Sequence, residues 1–203
     1  MIAVSVLLAL GMLNGCASPA STAVATNDSL DPPTTTTTVP RLVDESDRPH
    51  VAFDPCLDIP DHVLKAAGYD PTSEDNADFA ATHFTMLGCS YKGNVTMPGV
   101  AAYRLTVLSA NFDWSTELRK VADNDDDITH IEIAGQRAIL KTNPSLPESC
   151  GVSVEAFYGV LIFSSVVFGK GGTRVPEEQW CTGLVDTAER IVAVLDDFES
   201  RTR

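Results

Sequence analysis

The sequence predicts an α+β domain in which a mostly antiparallel sheet of about five strands packs against N- and C-terminal helices. Three observations favour this class. Hydrophobic residues make up 44% of the 203 residues, which is enough for a core. Short segments rich in β-branched and aromatic residues are separated by glycine and proline turns. A long segment near the end of the chain repeats apolar residues at helical spacing, and such a stripe needs a sheet to pack on.

A short helix is predicted at the start of the domain. Asp58 is its expected N-cap, and Pro60 and Asp61 suit the first turn, because proline lacks the N–H that is unpaired there and a carboxylate favours the positive helix end. Gly68 is the predicted stop. Residues 72–81 are polar and are predicted to form a loop.

The segments predicted as strands alternate apolar and polar residues or are apolar throughout. They are residues 84–91, 100–109, 128–134, 137–142, 152–157 and 160–168. Hairpin turns are expected at Gly135-Gln136 and Tyr158-Gly159, and residues 160–168 are placed at the sheet centre because they are nearly all apolar. Residues 114–122 are predicted as a helix capped by Asp113, and residues 143–148 as a loop.

The last helix is predicted to start at Pro176, with Glu177 and Glu178 in its first turn. Its apolar stripe consists of Trp180, Leu184, Ala188, Ile191, Leu195 and Phe198. Its polar side carries Asp186, Glu189, Arg190, Asp196 and Asp197, which is typical of a solvated helix face.

The first 13 residues, MIAVSVLLALGML, form an apolar run. A membrane-spanning helix needs about 20 residues, so the run has the length of a signal peptide. No Lys or Arg precedes it, so either the terminal amine is the only positive charge or the true start lies upstream. The run ends in Leu13-Asn14-Gly15-Cys16, which resembles the bacterial lipobox, where the cysteine thiol is acylated and cleavage falls before it.

Cys16 is therefore predicted to be a lipid-attachment site, and an ordinary signal peptide with an unpaired cysteine is the alternative. Residues 17–47 are rich in Thr, Ser, Pro, Ala and Asp, and they have too little apolar surface to offset the entropy of ordering. The predicted organisation is a signal peptide over residues 1–15, a disordered tether over residues 16–50 and one α+β domain over residues 51–203.

The other cysteines are Cys56, Cys89, Cys150 and Cys181. An even number suits two disulfides in an oxidising compartment, and none of these cysteines has the C-x-x-C spacing of a metal or redox site. Three pairings exist, and the sequence alone does not choose among them. Cys56 with Cys89 and Cys150 with Cys181 is favoured, because each pair would join a sheet segment to a neighbouring helix.

The sequence has no recognisable motif for catalysis, metal binding or cofactor binding, so no catalytic residue, metal ligand or cofactor is predicted. The net charge of −14 opposes binding to nucleic acid. The histidines show no metal-ligand spacing and are expected to be solvated: His50, His62, His83 and His130. No nucleophile-elbow sequence is present, although a triad is defined by geometry and needs no local motif.

Two further patterns were weighed as sites. Asp123, Asp125 and Asp127 alternate as at the start of a calcium loop, but the glycine and glutamate that such a loop needs later are absent, so a solvated acidic turn is favoured. A separation between the last helix and the sheet would let aromatic residues line a lipid or ligand pocket, whereas plain core packing is the favoured interpretation. These aromatics are Phe157, Tyr158, Phe163 and Trp180.

The order and spacing of these features resemble the actinobacterial cell-envelope lipoproteins grouped as domain of unknown function 3558, over about residues 53–195. The residues that carry the resemblance are the lipobox, Phe53-Asp54-Pro55-Cys56, Gly88-Cys89-Ser90-Tyr91, Gly135 with Ala138, Cys150-Gly151-Val152-Ser153-Val154, and Cys181 on the final helix. The family usually has Trp two residues after the second cysteine, where this chain has Tyr91. The resemblance implies an envelope-anchored domain and assigns no activity.

The predicted function is that of a non-enzymatic binding or interaction module, held by Cys16 on the extracytoplasmic face of the cell membrane. An envelope protein or a small apolar ligand is its predicted partner. Two alternatives are a cell-envelope hydrolase or transferase with an unrecognised site, and a structural accessory of an envelope complex.

Overall fold

The computed structural model describes residues 41–94 and 96–202. The predicted signal peptide, Cys16 and most of the predicted tether lie outside these residues. Eight strands form one antiparallel sheet in the described part of the chain. They are β1 (Tyr69–Asn76), β2 (Phe79–Ala81), β3 (Phe84–Gly93), β4 (Val100–Ala110), β5 (Asp127–Ile133), β6 (Gln136–Thr142), β7 (Ser149–Ala156) and β8 (Gly159–Gly169).

The sheet consists of two meanders that meet at one seam. The strand order is β1-β3-β4-β8-β7-β6-β5, and β2 pairs with β3. Neighbouring strands within each meander are close in sequence. The seam is the β4–β8 pair, which joins residues far apart in the chain, such as Val107 and Phe163. The antiparallel α+β class is confirmed, and the expected strand count of about five is wrong, because the structure has eight strands.

The two strands without a predicted counterpart, β1 and β2, overlap residues 72–81, which were predicted as a loop. β1 is largely exposed, with a register shift between Asp70 and Asp75, and it pairs with the outer edge of β3. β2 follows it along the same edge. Backbone pairing at a sheet edge holds these polar residues in strands without an apolar face.

In the described ranges, four α-helices accompany the sheet: α1 (Pro55–Asp58), α2 (Asp61–Ala66), α3 (Trp114–Asp123) and α4 (Leu184–Thr202). The expected capping role of Asp58 is wrong. Asp54 caps α1 by accepting from the Cys56 N–H at 3.0 Å, and Pro60 occupies the N-cap of α2. Gly68 ends α2 as predicted, with a φ of 88° that glycine adopts without strain.

The long last helix starts later than predicted. Residues Glu177–Gln179 form a single 3₁₀ turn, and α4 begins at Leu184 after Gly183, which has a φ of 74°. Pro176 precedes this turn as expected. The positive φ of Gly183 interrupts the helix between the turn and α4. Cys181 therefore lies in the connection before α4 and not on the helix itself.

The main core fills the space between α4 and one face of the sheet. Leu184, Ala188, Ile191 and Leu195 of α4 are buried in the same cluster as Val107, Val152 and Phe163 of the strands. The predicted helical stripe is thus confirmed as a core-facing surface. Among the described residues, no helix combines the length and apolar character needed to span a membrane.

The opposite face of the sheet carries α3. Trp114 and Val121 of this helix pack with Ile139, Val160 and Ile162 in a second, smaller core. The predicted cap is confirmed, since Asp113 accepts from the Thr116 N–H at 2.7 Å. These contacts place the rest of α3 directly above β6 and β7, where the candidate site lies.

The hairpin turns are shifted by one residue from their predicted positions. Ala134 and Gly135, both with positive φ, connect β5 to β6, and Phe157-Tyr158 connects β7 to β8. Gly159 has a φ of 155°, and a Cβ there would lie 2.1 Å from the Ala110 carbonyl oxygen, so this position requires glycine.

Candidate functional site

A polar groove of about 390 Å³ opens on the second face of the sheet, beyond the C-terminal end of α3. The loop of residues 143–148 borders it on one side, and the strand surfaces of β6, β7 and β8 form its floor. Most of its lining groups are hydroxyls, amides and charged side chains. Those used below are Asp126, Lys141, Asn143, Gly151 and Ser164.

The sheet register explains why the floor is polar and shallow. Ser90, Thr106, Ser164, Gly151 and Lys141 are successive cross-strand neighbours from β3 to β6. Because side chains alternate along a strand, these five positions lie in one row on the same face. Small side chains in the middle of this row leave room above the sheet, and α3 stops before covering it.

Glu117 of α3 is fully buried and holds Lys141, which lines the groove; Glu117 was not recognised from the sequence. Its Oε1 accepts from the Lys141 ammonium at 2.5 Å and from the Ser153 hydroxyl at 2.6 Å. Its Oε2 accepts from the Lys120 ammonium at 3.3 Å. One carboxylate therefore serves two lysines, and the cluster of these four side chains carries a net positive charge.

The protonation of Glu117 follows from two opposed effects. Burial alone would raise the pKa of this carboxyl, but the Lys141 charge and the hydrogen bonds from Lys141 and Ser153 lower the pKa below its ordinary value. Glu117 is consequently ionised at neutral pH. A buried, paired carboxylate of this kind fixes the position of α3 over the sheet and holds Lys141 in place.

Because Gly151 has no side chain, the side chain of Lys141 can cross it to reach Glu117. A Cβ on Gly151 would lie 2.8 Å from Cε and 2.9 Å from Cγ of Lys141, so the lysine stem lies across the glycine on its way to Glu117. The Lys141 side chain retains 19% of its exposure. Its ammonium thus lies at the inner wall of the groove with donor capacity beyond the bond to Glu117.

Three serines line the groove, Ser145, Ser149 and Ser164, together with the carboxylate of Asp126. The Ser153 hydroxyl is buried and donates to Glu117, so it is closed to a substrate. All four histidines are exposed, as expected, and none lines the groove. The arrangement suits the binding of oxygen-rich polar groups, which accept from an ammonium and exchange hydrogen bonds with hydroxyls.

The predicted acidic turn forms the far wall of the groove. Asp126 accepts from the Asn143 side-chain amide at 2.6 Å, and the same amide donates to the Asn124 carbonyl at 2.8 Å. Asp123, Asp125 and Asp127 are exposed. The turn thereby fastens the loop of residues 143–148 to the end of α3.

The cysteine prediction is confirmed in full for the described residues. Disulfides join Cys56 to Cys89 and Cys150 to Cys181, with Cα–Cα distances of 5.4 and 5.2 Å. The Glu74 carboxylate lies near the first pair of sulfurs. Because those sulfurs are bonded to each other, they offer no thiolate to a metal. Cys16 lies outside the described residues, and its lipid attachment stays a prediction.

The four aromatic residues that could have lined a ligand pocket lie in two different places. Phe163 and Trp180 are buried in the main core, and the Trp180 indole N–H donates to the Val175 carbonyl at 2.9 Å. Phe157 is exposed at the β7–β8 turn, and the buried Tyr158 hydroxyl pairs with the Ser109 hydroxyl at 2.5 Å. Core packing is therefore confirmed for Phe163 and Trp180.

Tyr91, two residues after Cys89, is fully buried. Its hydroxyl donates to Glu74 at 3.2 Å, and burial together with the nearby Glu74 charge raises its pKa above the ordinary value. The tyrosine ring is thus accommodated in the core with its polar end satisfied.

The chain before the domain is fastened to the end of the sheet, a feature that the composition does not signal. Asp44 accepts from the Thr85 hydroxyl at 2.7 Å and from the Asn111 amide at 2.8 Å, and Asn111 also donates to the Pro49 carbonyl at 3.1 Å. Hydrogen bonds from Ser46, Thr85 and Asn111 lower the pKa of Asp44 below its ordinary value. Residues 41–49 are therefore tied to β3 and β4 through charge-assisted bonds.

Comparison with known proteins gives one match. A family model described as "Protein of unknown function (DUF3558)" matches residues 11–193. No curated protein and no solved structure matches the chain. The matched segment contains both disulfides, the whole sheet and about half of α4. Because this match spans most of the sequence, the chain belongs to the DUF3558 family of proteins of unknown function.

Proposed function

We propose that this protein is an exported, lipid-anchored binding module that carries the polar groove on the outer face of the cytoplasmic membrane. The apolar run, the lipobox-like Cys16 and the Thr/Pro-rich segment after it support export and anchoring. The two disulfides of the domain support an oxidising compartment.

The observation that carries the binding role is the Lys141 ammonium at the wall of the groove, which the buried Glu117 holds in place. Lys141 lines the groove together with the hydroxyls of Ser149 and Ser164, and the carboxylate of Asp126 lies on the far wall. Such a site favours a ligand rich in carboxylate, hydroxyl or amide oxygens. A macromolecular polyanion does not suit it, because the rest of the molecule repels that charge.

A binding role is favoured over catalysis by the placement of the reactive groups. Ser153 is enclosed, and the exposed histidines lie away from the groove. The predicted apolar ligand between α4 and the sheet receives no support, since side chains of both layers form one buried cluster there. We therefore place the ligand on the opposite face.

The proposed ligand-binding role of the groove is tested by a substitution that fills the groove with a larger side chain. Ser164 lies on the floor and is half-buried, so Ser164→Tyr would occupy the space above the row of hydroxyls without removing a core contact. The isotopically labelled chain is titrated with sugars, amino acids and dicarboxylates, and the amide shifts of Ser164 and Gly151 are followed by NMR. We expect saturable shifts for one class and at least a tenfold loss of affinity in Ser164→Tyr.

The matched control is Phe168→Ser, at an exposed position on the same strand outside the groove. Equal loss in both variants, or shifts confined to other surfaces, would contradict the groove as the ligand site. Release of a cleaved product during the titration would support the hydrolase alternative instead.

The anchor is tested separately at Cys16. We expect radiolabelled fatty acid to enter the wild-type protein in its host and not Cys16→Ala, which should leave the membrane fraction. A Cys16→Ala protein that stays on the membrane without label would refute lipid attachment at this residue.

A further inference from the structure

The sheet of the described residues has two edges, and side chains protect the backbone of one of them. At the β1 edge the pairing is interrupted by the register shift between Asp70 and Asp75. The Asp70 carboxylate accepts from the Thr72 N–H at 2.9 Å, and the Asp70 carbonyl accepts from the Ser73 hydroxyl at 2.6 Å. Pro71 has no N–H to donate. A further strand therefore finds few free backbone partners along this edge.

The other edge is the outer side of β5, which we call the β5 edge. β5 pairs with β6 from Asp127 to Ile133 without a register shift. Its sequence, DITHIEI, contains no proline, and its isoleucines and threonine favour an extended strand. In the part of the chain that the structure describes, no side chain forms a hydrogen bond with the β5 backbone. The β5 edge therefore has backbone groups available for a further strand.

The hairpin to β6 determines which backbone groups of β5 point outward. Both of its turn residues, Ala134 and Gly135, have positive φ values, 51° and 83°, as in a two-residue type I′ turn. The pair that flanks such a turn is hydrogen-bonded, so the backbone groups of Ile133 point towards β6. This orientation alternates along an antiparallel strand. The residues whose N–H and C=O groups point away from β6 are therefore Ile128, His130 and Glu132.

The β5 edge is acidic. Four exposed carboxylates lie on β5 or in the chain just before it: Asp123, Asp125, Asp127 and Glu132. No ion pair among the described residues neutralises any of the four. Arg137, the cross-strand neighbour of Glu132, instead donates to Glu155 at 2.5 Å through both Nε and Nη2. The four carboxylates therefore attract a partner of opposite charge.

We propose that the β5 edge binds an extended, lysine- or arginine-rich segment of another protein as an additional strand. The outward N–H and C=O groups provide the pairing, and the four carboxylates favour a basic segment. Charge disfavours the two occupants that the chain itself could supply. A second copy carries a net charge of −14, and residues 1–40 contain two Asp and no Lys or Arg.

The same carboxylates give the open edge its selectivity. Unpaired strand edges promote aggregation, and charged side chains are one of the means by which proteins prevent it. The four negative charges oppose pairing with another copy of this acidic chain, whereas they stabilise pairing with a basic segment. Backbone pairing thus supplies affinity, and charge decides which segment is bound.

The probe is the acetylated and amidated peptide Lys-Val-Lys-Val-Lys-Val-Lys, which has the same length as β5. It is titrated into the full, isotopically labelled chain, and the backbone amides are followed by NMR. We expect saturable shifts of the Ile128, His130 and Glu132 amides, together with at least tenfold slower hydrogen exchange of these three groups.

Two further peptides separate charge from backbone pairing. Replacing each Lys by Glu keeps the strand pattern and reverses the charge. Methylating every backbone nitrogen of the basic peptide keeps its charge and removes every N–H donor. We expect neither peptide to shift the three amides of the β5 edge.

His130→Pro and His130→Val are the matched variants of the protein. Both remove the imidazole, but only proline removes the outward N–H at the middle of the β5 edge, and neither removes a hydrogen bond to β6. We expect His130→Pro to lower the affinity for the basic peptide at least tenfold and His130→Val to lower it less than threefold. Urea denaturation checks that both variants fold, and if His130→Pro does not, the N-methylated peptide decides.

Equal binding of the basic peptide and its N-methylated form would overturn the proposal, because charge attraction alone would then explain the binding. Absence of shifts at the β5 edge would overturn it as well, including the case in which only Gly151 and Ser164 of the groove respond. Slow exchange of the three amides before peptide is added would also contradict it. Protection that rises with protein concentration would identify a second copy as the occupant, and constant protection would identify the chain's own residues.

Discussion

The side chain of Lys141 lies across Gly151, its neighbour on the next strand, and reaches Glu117 beneath α3. Gly151→Ala would push the lysine stem aside and weaken the ion pair. We expect a loss of about 1–3 kcal/mol in the free energy of unfolding, the usual range for overpacking. Urea denaturation measures it. In a Lys141→Ala background, Gly151→Ala should lower the free energy of unfolding only slightly. An equally large loss in that background would show that the contact with Lys141 is not the cause.

Glu117→Gln should destabilise the domain by about 3–5 kcal/mol at neutral pH, because it leaves the lysines without their carboxylate in a buried place. The folded-state pKa of Glu117 is lowered, so its contribution is present above the unfolded value of 4.5 and is lost as the pH falls through the folded value. The difference between wild type and Glu117→Gln should therefore narrow below pH 4.5. Urea melts at several pH values test this, and a constant difference would argue against an ionised Glu117.

Asp44→Ala should release the segment before the domain, because Thr85 and Asn111 lose their shared acceptor. We expect limited proteolysis near residues 41–50 to become several-fold faster while the sheet stays intact. Glu45→Ala is the control, since Glu45 is the next acidic residue and is exposed. If both variants are cut at the same rate, Asp44 does not fasten the segment.

Removing either disulfide by paired Cys→Ser substitution should cost about 4 kcal/mol, the loop-entropy value for closed segments of this length. The bridges close 33 and 31 residues, so their effects should be nearly equal. Guanidinium denaturation of Cys56→Ser/Cys89→Ser and Cys150→Ser/Cys181→Ser compares them. A much larger effect of one pair would show that a disulfide also supports native packing.

Strong local patterns predicted much of the fold. The alternation in residues 100–109 and the stripe from Leu184 to Leu195 each appear as expected, because their apolar faces need one particular layer of the core. β1 was missed because its stability comes from pairing with β3 and not from its own side chains. An apolar pattern in a sequence indicates which residues are buried. An exposed edge strand such as β1 has few buried residues, so it leaves no such pattern.

The candidate site was largely invisible in the sequence for a related reason. Glu117 looks like an ordinary helix carboxylate, and only the crossing of α3 over β6 and β7 brings it to Lys141 and Ser153. Likewise, Asp44 and Asn111 are 67 positions apart. Neither the contact of Glu117 with Lys141 nor that of Asp44 with Asn111 can be predicted from residue spacing. The cysteines could be paired, because the pairing followed from which predicted segments were expected to be neighbours.

The two bridges join cysteines that are consecutive in the chain, and each belongs to a different meander of the sheet. For a polypeptide that leaves the cytoplasm N-terminus first, Cys56 meets Cys89 before Cys150 has emerged. Under the proposed export, with Cys16 acylated, oxidation in order of arrival would give the connectivity of the structure. Each disulfide closes a segment of its own meander, so the pairing of β4 with β8 is what joins the two meanders within the sheet.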